Sequence, residues 1–294
     1  MKLKYIGGIF MKKRELAALN FQEHEGALQC TICHSEMTVM DSKSLVCEKG
    51  HSFDLAKQGY VNMLQKQVST MYDHTLFDAR KRIIYDYKFY DKVHQKISKI
   101  IDEALQEGGL VFDAGSGEGT HLNAIFNHLD KDSIHGIGLD ISKDGIVMAA
   151  KNYSDLNWLV GDLTQTPFKE HSQDIILSFL SPANYSEFKR IMKPNGLLIK
   201  IIPGSHYLKE IREHLSDEDK EYENTDTVNL MRNKVDVISE ERVTYEREVD
   251  EEVLRDILTM TPLTWHISES QIESILKNHH EIITVDLHII LAKF

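Results

Sequence analysis

Residues 111–119 read Val-Phe-Asp-Ala-Gly-Ser-Gly-Glu-Gly, an apolar run ending in an acid and then three glycines at alternate positions. Glycine lacks a Cβ and tolerates left-handed backbone, so such a stretch turns sharply from strand into helix while its backbone approaches a ligand. The flanking pattern agrees with that turn. Strands are expected at Leu110–Ala114, Ile134–Leu139, Leu156–Val160, Asp174–Leu180 and Gly196–Ile202, with helices at Thr120–Leu129, Lys143–Asn152 and Asn184–Met192. This alternation predicts a parallel, doubly wound α/β sheet with helices on both faces. Ahead of it, Val93, Ile97, Ile100, Ile101 and Leu105 recur at helical spacing, and Gly108-Gly109 ends that helix. Behind it, Glu281–Phe294 reads as one or two closing strands, and charge-dense Asp217–Thr225 as an exposed loop or helix.

The glycine spacing narrows the ligand. Gly115, Gly117 and Gly119 form G-x-G-x-G, whereas the dinucleotide fingerprint places its third glycine one residue later. The shorter form after an acid, here Asp113, is typical of enzymes that hold S-adenosylmethionine, which has no pyrophosphate to seat on a helix. Asp140 ends the second strand where a ribose diol lies. Asp162 ends the third, where it either meets an adenine amino group or caps a helix. Lys193-Pro194-Asn195-Gly196 then turns a helix into the fifth strand. A chance glycine-rich turn does not account for four such elements in order.

The three cysteines, Cys30, Cys33 and Cys47, argue against a disulfide framework by their odd number. With His51 they spell C-x2-C, thirteen residues, C-x3-H. Two paired-ligand knuckles at that spacing match a closed tetrahedral site for one structural Zn²⁺, and three thiolates favour zinc over hard cations. His34, beside Cys33, is a spare ligand.

Net charge is −12 overall, yet residues 1–100 hold 16 Lys and Arg against 11 Asp and Glu. A basic front suits a polyanion while the acidic body stays in solution; spare surface lysines are the plainer explanation. Arg80, Lys81 and Arg82 are the candidate phosphate contacts, against a solvated helix face. No apolar run approaches the ~20 residues needed to span a bilayer, and Met1–Phe10 lacks the features of an export signal. No membrane partner and a cytoplasmic location are therefore expected.

Cys30–His51, the following Phe53–Leu64, Asp113–Gly119, Gly138–Lys143, Lys193-Pro194, Pro203–Leu208 and Met260–Trp265 together resemble the RlmA-type 23S rRNA (guanine-N1)-methyltransferases, from about residue 28 to the end. The resemblance implies a class I (Rossmann-like) methyltransferase fold with a mostly parallel seven-stranded sheet and a small N-terminal zinc module. It implies domains at 1–66 (zinc module about 27–60), a helical, RNA-facing linker at 67–108, and a methyltransferase domain at 109–294. It assigns zinc to Cys30, Cys33, Cys47 and His51. It assigns S-adenosylmethionine contacts to Gly117, Glu118 and His206, and to Tyr90, or Phe89 if the register shifts by one. The implied substrate is N1 of a guanine in a hairpin loop of 23S rRNA, in the large-subunit precursor, and the implied assembly is a homodimer.

Methylation at N1 requires loss of its proton, so a base or a dipole at O6 is expected. Ser181 and Asn184 are candidates to hydrogen-bond a flipped guanine and Phe179 or Tyr185 to stack on it; each is also an ordinary loop or cap residue. No catalytic base is assigned. The competing readings are a zinc-containing methyltransferase of small molecules or proteins, and a non-catalytic zinc-ribbon RNA-binding protein.

Overall fold

The computed structural model describes residues 5–6, 9–66, 68, 73–130, 133–215, 225–277 and 282–294. The charge-dense segment therefore lies outside the described residues except at Thr225. After a short hairpin, β1 (Tyr5–Ile6) and β2 (Ile9–Phe10), helix α1 (Lys13–Glu23) leads to β3 (Met37–Met40), β4 (Ser44–Cys47) and β5 (Ser52–Asp54), a small antiparallel sheet. Then come β6 (Tyr60–Asn62), α2 (His74–Lys81), a π turn at Arg82–Asp86 and α3 (Asp91–Ala104). The alternating region follows as β7 (Gly109–Ala114), α4 (Thr120–Phe126), β8 (Ile134–Asp140), α5 (Lys143–Asn152), β9 (Asn157–Val160), β10 (Gln173–Phe179), α6 (Tyr185–Ile191) and β11 (Met192–Pro203). The chain closes with α7 (Lys209–Arg212), α8 (Thr225–Arg232), β12 (Asp236–Glu248), α9 (Glu251–Met260), α10 (Glu269–Lys277) and β13 (Ile282–Lys293).

The main sheet runs β12-β13-β11-β10-β7-β8-β9-β6. Strands β11 through β6 are parallel; β13 is antiparallel to both β11 and β12. Seven strands match the expected class I arrangement. The eighth, β6, comes from the zinc-bearing segment and pairs Val61 with Leu159 of β9. Central strands are buried on both faces, which is why Leu110–Ala114 is a nearly continuous apolar run. Edge strand β12 escaped the pattern because it is largely exposed and rich in charge. Its register is set by pairing with the apolar β13.

The two sheet faces carry separate cores. One gathers Val93, Ile97 and Ile101 of α3 over Val111, Ile175 and Ile199. The other joins Leu28, Leu45 and Leu55 of the zinc-bearing segment to Phe112, Phe168 and Phe188. Backbone bonds from Gln29 to Pro167 (2.9 Å) and from Lys169 to Ala27 (3.0 Å) tie the two parts further. At the centre, β7 has β8 on one side and β10 on the other, so connections leave in opposite directions. This reversal opens a crevice at the carboxyl ends of the strands, where ligands of such sheets bind. Among the described residues no helix is long and apolar enough to cross a membrane.

Candidate active site and metal centre

The glycine turn sits at the mouth of that crevice. Gly115 and Gly119 have φ of +81° and +78°, and a Cβ on either would lie 2.8 Å from the Ser181 side chain or 2.3 Å from the Trp158 ring. Only glycine fits both positions. Asp140 pins the turn by accepting from Gly117 N (2.8 Å) and from Ser142 N (2.7 Å). Burial raises its pKa. Asp162 accepts from Thr164 N (2.8 Å) in a tight turn, and no helix begins there, so the helix-cap alternative is excluded.

Beside the turn lies a cavity of about 380 Å³ lined by Arg80, Tyr90, His121, Ser181, Lys200, Tyr207 and Arg212, with Met260–Leu263 along one wall. Arg80 comes within 3.5 Å of Glu118. Burial lifts Asp113 to about 7 and raises Glu118, while Arg80 pulls both down. Tyr90 and Tyr207 join their hydroxyls at 2.5 Å. His121 stacks on Phe179 (centroids 3.8 Å apart) and meets His94 at 2.9 Å. Burial holds His121 well below its usual pKa and His94 at about 3, so this wall is aromatic and uncharged.

The residues fit S-adenosylmethionine. Both carboxylate oxygens of Glu118, one of Asp113 and the hydroxyl of Ser116 are buried without a hydrogen-bond partner, a costly state that a ligand relieves. Acids beside Arg80 complement a zwitterionic amino-acid end, and aromatic faces suit a sulfonium.

At the other site, Cys30, Cys33, Cys47 and His51 bring four ligand atoms within 4.8 Å of one another. Two thiolates on a tetrahedral zinc stand about 3.8 Å apart, and a thiolate and an imidazole nitrogen about 3.5 Å, from the usual bond lengths. Cys33 and Cys47 sulfurs are 3.7 Å apart, and His51 Nδ1 lies 3.6, 3.3 and 3.4 Å from Cys30, Cys33 and Cys47. Backbone amides of Ile32 and His51 donate to the Cys30 and Cys47 sulfurs, fixing both knuckles. His34 is outside this group and exposed. The set is closed, so its role is structural.

Residues 28–69 match the family model of the RlmA N-terminal zinc ribbon, and residues 105–286 that of a methyltransferase domain. The Bacillus subtilis protein named "Putative 23S rRNA (guanine-N(1)-)-methyltransferase YxjB" is 38% identical over 90% of this chain and 96% of its own. The chain belongs to the RlmA-type methyltransferase family. A 23S rRNA (guanine(748)-N(1))-methyltransferase of Streptomyces fradiae is 26% identical over 81% of this chain and 86% of its own. Among solved structures, a SAM dependent methyltransferase from Aquifex aeolicus aligns with a TM-score of 0.41 at 16% identity, over 66% of this chain and 87% of that one. This RlmA-type chain is an S-adenosylmethionine-dependent enzyme with one structural zinc.

Several residues stand elsewhere than the sequence placed them. His206, like Gly115, Gly117, Glu118, Asp140 and Asp162, is not among the residues lining the cavity, but unlike them it is turned away from the glycine turn: its amide donates to Asp286 (2.8 Å) and its ring faces Arg242 (3.1 Å). Its neighbour Tyr207 takes the cavity position. The π turn holds one residue more per loop than an α turn; beyond it Tyr90, not Phe89, lines the cavity, and Phe89 packs in the core. The basic trio is divided. Arg80 turns to Glu118, and Arg82, partly exposed, donates to both oxygens of Asp256 (2.6 and 2.5 Å), so each is engaged by a carboxylate. Phe179 is buried beneath His121 and cannot stack on a base; Asn184 caps α6. Lys200 belongs to no sequence motif, and Tyr207 stands out only as part of the Pro203–Leu208 segment.

Proposed function

We propose that this chain methylates N1 of a guanine in a hairpin loop of 23S rRNA, in the precursor of the large subunit. The supporting observation is that the zinc ribbon and the methyl-donor crevice share one apolar core in a chain collinear with a relative named for that reaction. A zinc ribbon built into the catalytic body is a fixed surface for positioning structured RNA, which proteins recognise by shape and backbone.

Tyr90, Gly115, Gly117, Glu118, Asp140 and Asp162, joined by Tyr207, are the cofactor contacts in this reading. Cys30, Cys33, Cys47 and His51 hold the zinc. S-adenosylmethionine supplies an electrophilic methyl group on a sulfonium sulfur. Glu118 and Arg80 orient the amino-acid end, Asp140 the ribose, and the ring of Tyr90 with the neutral His121 excludes water beside the sulfonium. Residues 1–66 form the zinc-bearing part and 109–294 the catalytic domain. Between them, 67–108 contributes Arg80 and Tyr90 to the crevice as well as an RNA-facing side.

The test is incubation with labelled S-adenosylmethionine and unmodified 23S rRNA, followed by primer extension. Methylation at N1 blocks base pairing, so a new stop at one loop guanine is expected. Label in protein or small molecules alone, with none in RNA, refutes the assignment.

A further inference from the structure

Lys200 is a buried amine that the proposed function leaves without a task. It stands on β11 opposite Ser178 of β10 and is only 4% exposed. Its Nζ donates to Ser178 Oγ (2.9 Å) and to the carbonyl of Ser181. Ser181 in turn donates its hydroxyl to the Ala114 carbonyl (2.6 Å) and packs over Gly115. Lys200 therefore sits under the loop that closes β10, against the glycine turn, and lines the same cavity as Tyr90 and Tyr207.

Its surroundings offer no counter-ion. Among the described residues no carboxylate forms an ion pair with it; the other charged groups on the cavity wall, Arg80 and Arg212, are cations, and His121, Tyr90 and Tyr207 are neutral. Strand β13 presents Ile290 opposite it. Two strands away, Asp113 lies opposite Leu177 and answers to Arg80, and Glu240, opposite Ile290, answers to His288 (2.6 Å) and Arg232 (3.0 Å). An unpaired ammonium is expensive to bury, so the site shifts the balance towards the free amine; burial brings Lys200 down to about 8, which leaves a fraction of free amine at neutral pH and makes it the major form above pH 8. A free amine has two N–H bonds and one lone pair. Ser178 Oγ and the Ser181 carbonyl accept the two N–H bonds, which leaves the lone pair unengaged.

We infer that Lys200, as the neutral amine, takes the proton from the guanine nitrogen that is methylated. This rests on the acceptor proposed above. The N1–H bond breaks and its proton joins Nζ; the freed N1 pair bonds to the methyl carbon, and the carbon–sulfur pair stays on sulfur, leaving S-adenosylhomocysteine. The ammonium then loses its proton to solvent. Ser178 and Ser181 hold the amine in place through both states.

The experiment is single-turnover methyl transfer to a 23S rRNA transcript between pH 6.5 and 9.5. The wild-type rate is expected to rise with an apparent pKa near 8 and then level. Lys200→Met should slow transfer by about 10²–10⁴-fold, the usual share of general base catalysis, with S-adenosylhomocysteine affinity held within about threefold. Lys200→Arg, which retains charge and donors but keeps its proton in this range, should be equally slow. A readout free of turnover is ¹⁵N NMR of lysine-labelled protein, in which Lys200 Nζ titrates near 8. Near-wild-type rates in Lys200→Arg, or an Nζ that stays protonated to pH 10, overturn the inference, and either measurement decides it if Lys200→Met does not fold. A wild-type enzyme that leaves RNA unlabelled while Nζ still titrates near 8 overturns the acceptor assignment instead, and this inference with it.

Discussion

Arg82→Ala separates a structural cation from an RNA-binding one. Arg82 places two charge-assisted hydrogen bonds on Asp256, at 2.6 and 2.5 Å, and so clamps the π turn to α9. Asp256 is 6% exposed, so losing its partner strands a nearly buried carboxylate. The Arg82 side chain is itself 42% exposed, and solvent screens the pair. Hydrogen bonds to charged groups contribute about 1.5–3 kcal/mol when protected, and exposed ion pairs below about 1. An intermediate loss of about 1–2 kcal/mol follows, or about 2–4 °C in Tm for a chain of this size. Calorimetry on Arg82→Ala, Asp256→Asn and the double variant should return most of that loss as coupling between the two positions. RNA affinity measured across salt concentrations supplies the second reading. Removing a cation that neutralises one phosphate lowers the slope of log K against log salt by about 0.7–0.9, and for Arg82→Ala no such change is expected. A lowered slope with an unchanged Tm would refute the reasoning and return Arg82 to the RNA.

Cys47→Ala should release one zinc per chain, read by metal analysis, and lower Tm of the whole protein, because Leu45 and Leu55 share their core with the sheet; wild-type protein without zinc contradicts the site. Glu118→Gln should weaken S-adenosylhomocysteine about tenfold by calorimetry, about 1.4 kcal/mol, by removing the buried carboxylate charge that stands beside Arg80. In the same assay Tyr207→Phe weakens binding and His206→Ala does not; the reverse result restores His206. His94 is held at about 3 in the fold against 6.5 unfolded. Its lowered value means the unfolded chain takes up the proton first, so stability is intact above about 6.5 and falls with pH. At pH 5 the loss is about 2 kcal/mol, from 1.36 kcal/mol per unit. His94→Gln should flatten that acid limb in thermal scans, and an unchanged limb assigns it to other groups.

Much of this was legible because it rests on local rules. The glycine turn, the carboxylate at the end of the second strand and the zinc knuckles each join residues within a few positions of one another, so spacing alone implies geometry. The eighth strand was not legible: Tyr60–Asn62 is three residues long and has a partner only because the zinc-bearing segment packs on the sheet. His206 and Tyr207 follow the Pro203-Gly204 turn, where no periodicity says which of two neighbours faces inward. Arg80 and Arg82 were read by charge, yet their partners, Glu118 and Asp256, lie far along the chain.

Lys200 is the instructive omission, because the signal was present. It stands in Leu197-Leu198-Ile199-Lys200-Ile201-Ile202, a run with no polar alternation. Such a run marks a strand covered on both faces, and a strand of that kind offers a lysine no exposed side. Its ammonium must then find a carboxylate, reach past the strand end, or give up its charge. No carboxylate among the described residues meets it, and its Nζ ends on Ser178 and Ser181 beneath the β10 loop. Burial without a partner acid brings the amine down to about 8, within reach of the free base, and on the inference drawn above a lone lysine in an otherwise apolar central strand points to acid–base chemistry at least as well as the more conspicuous basic cluster at 80–82.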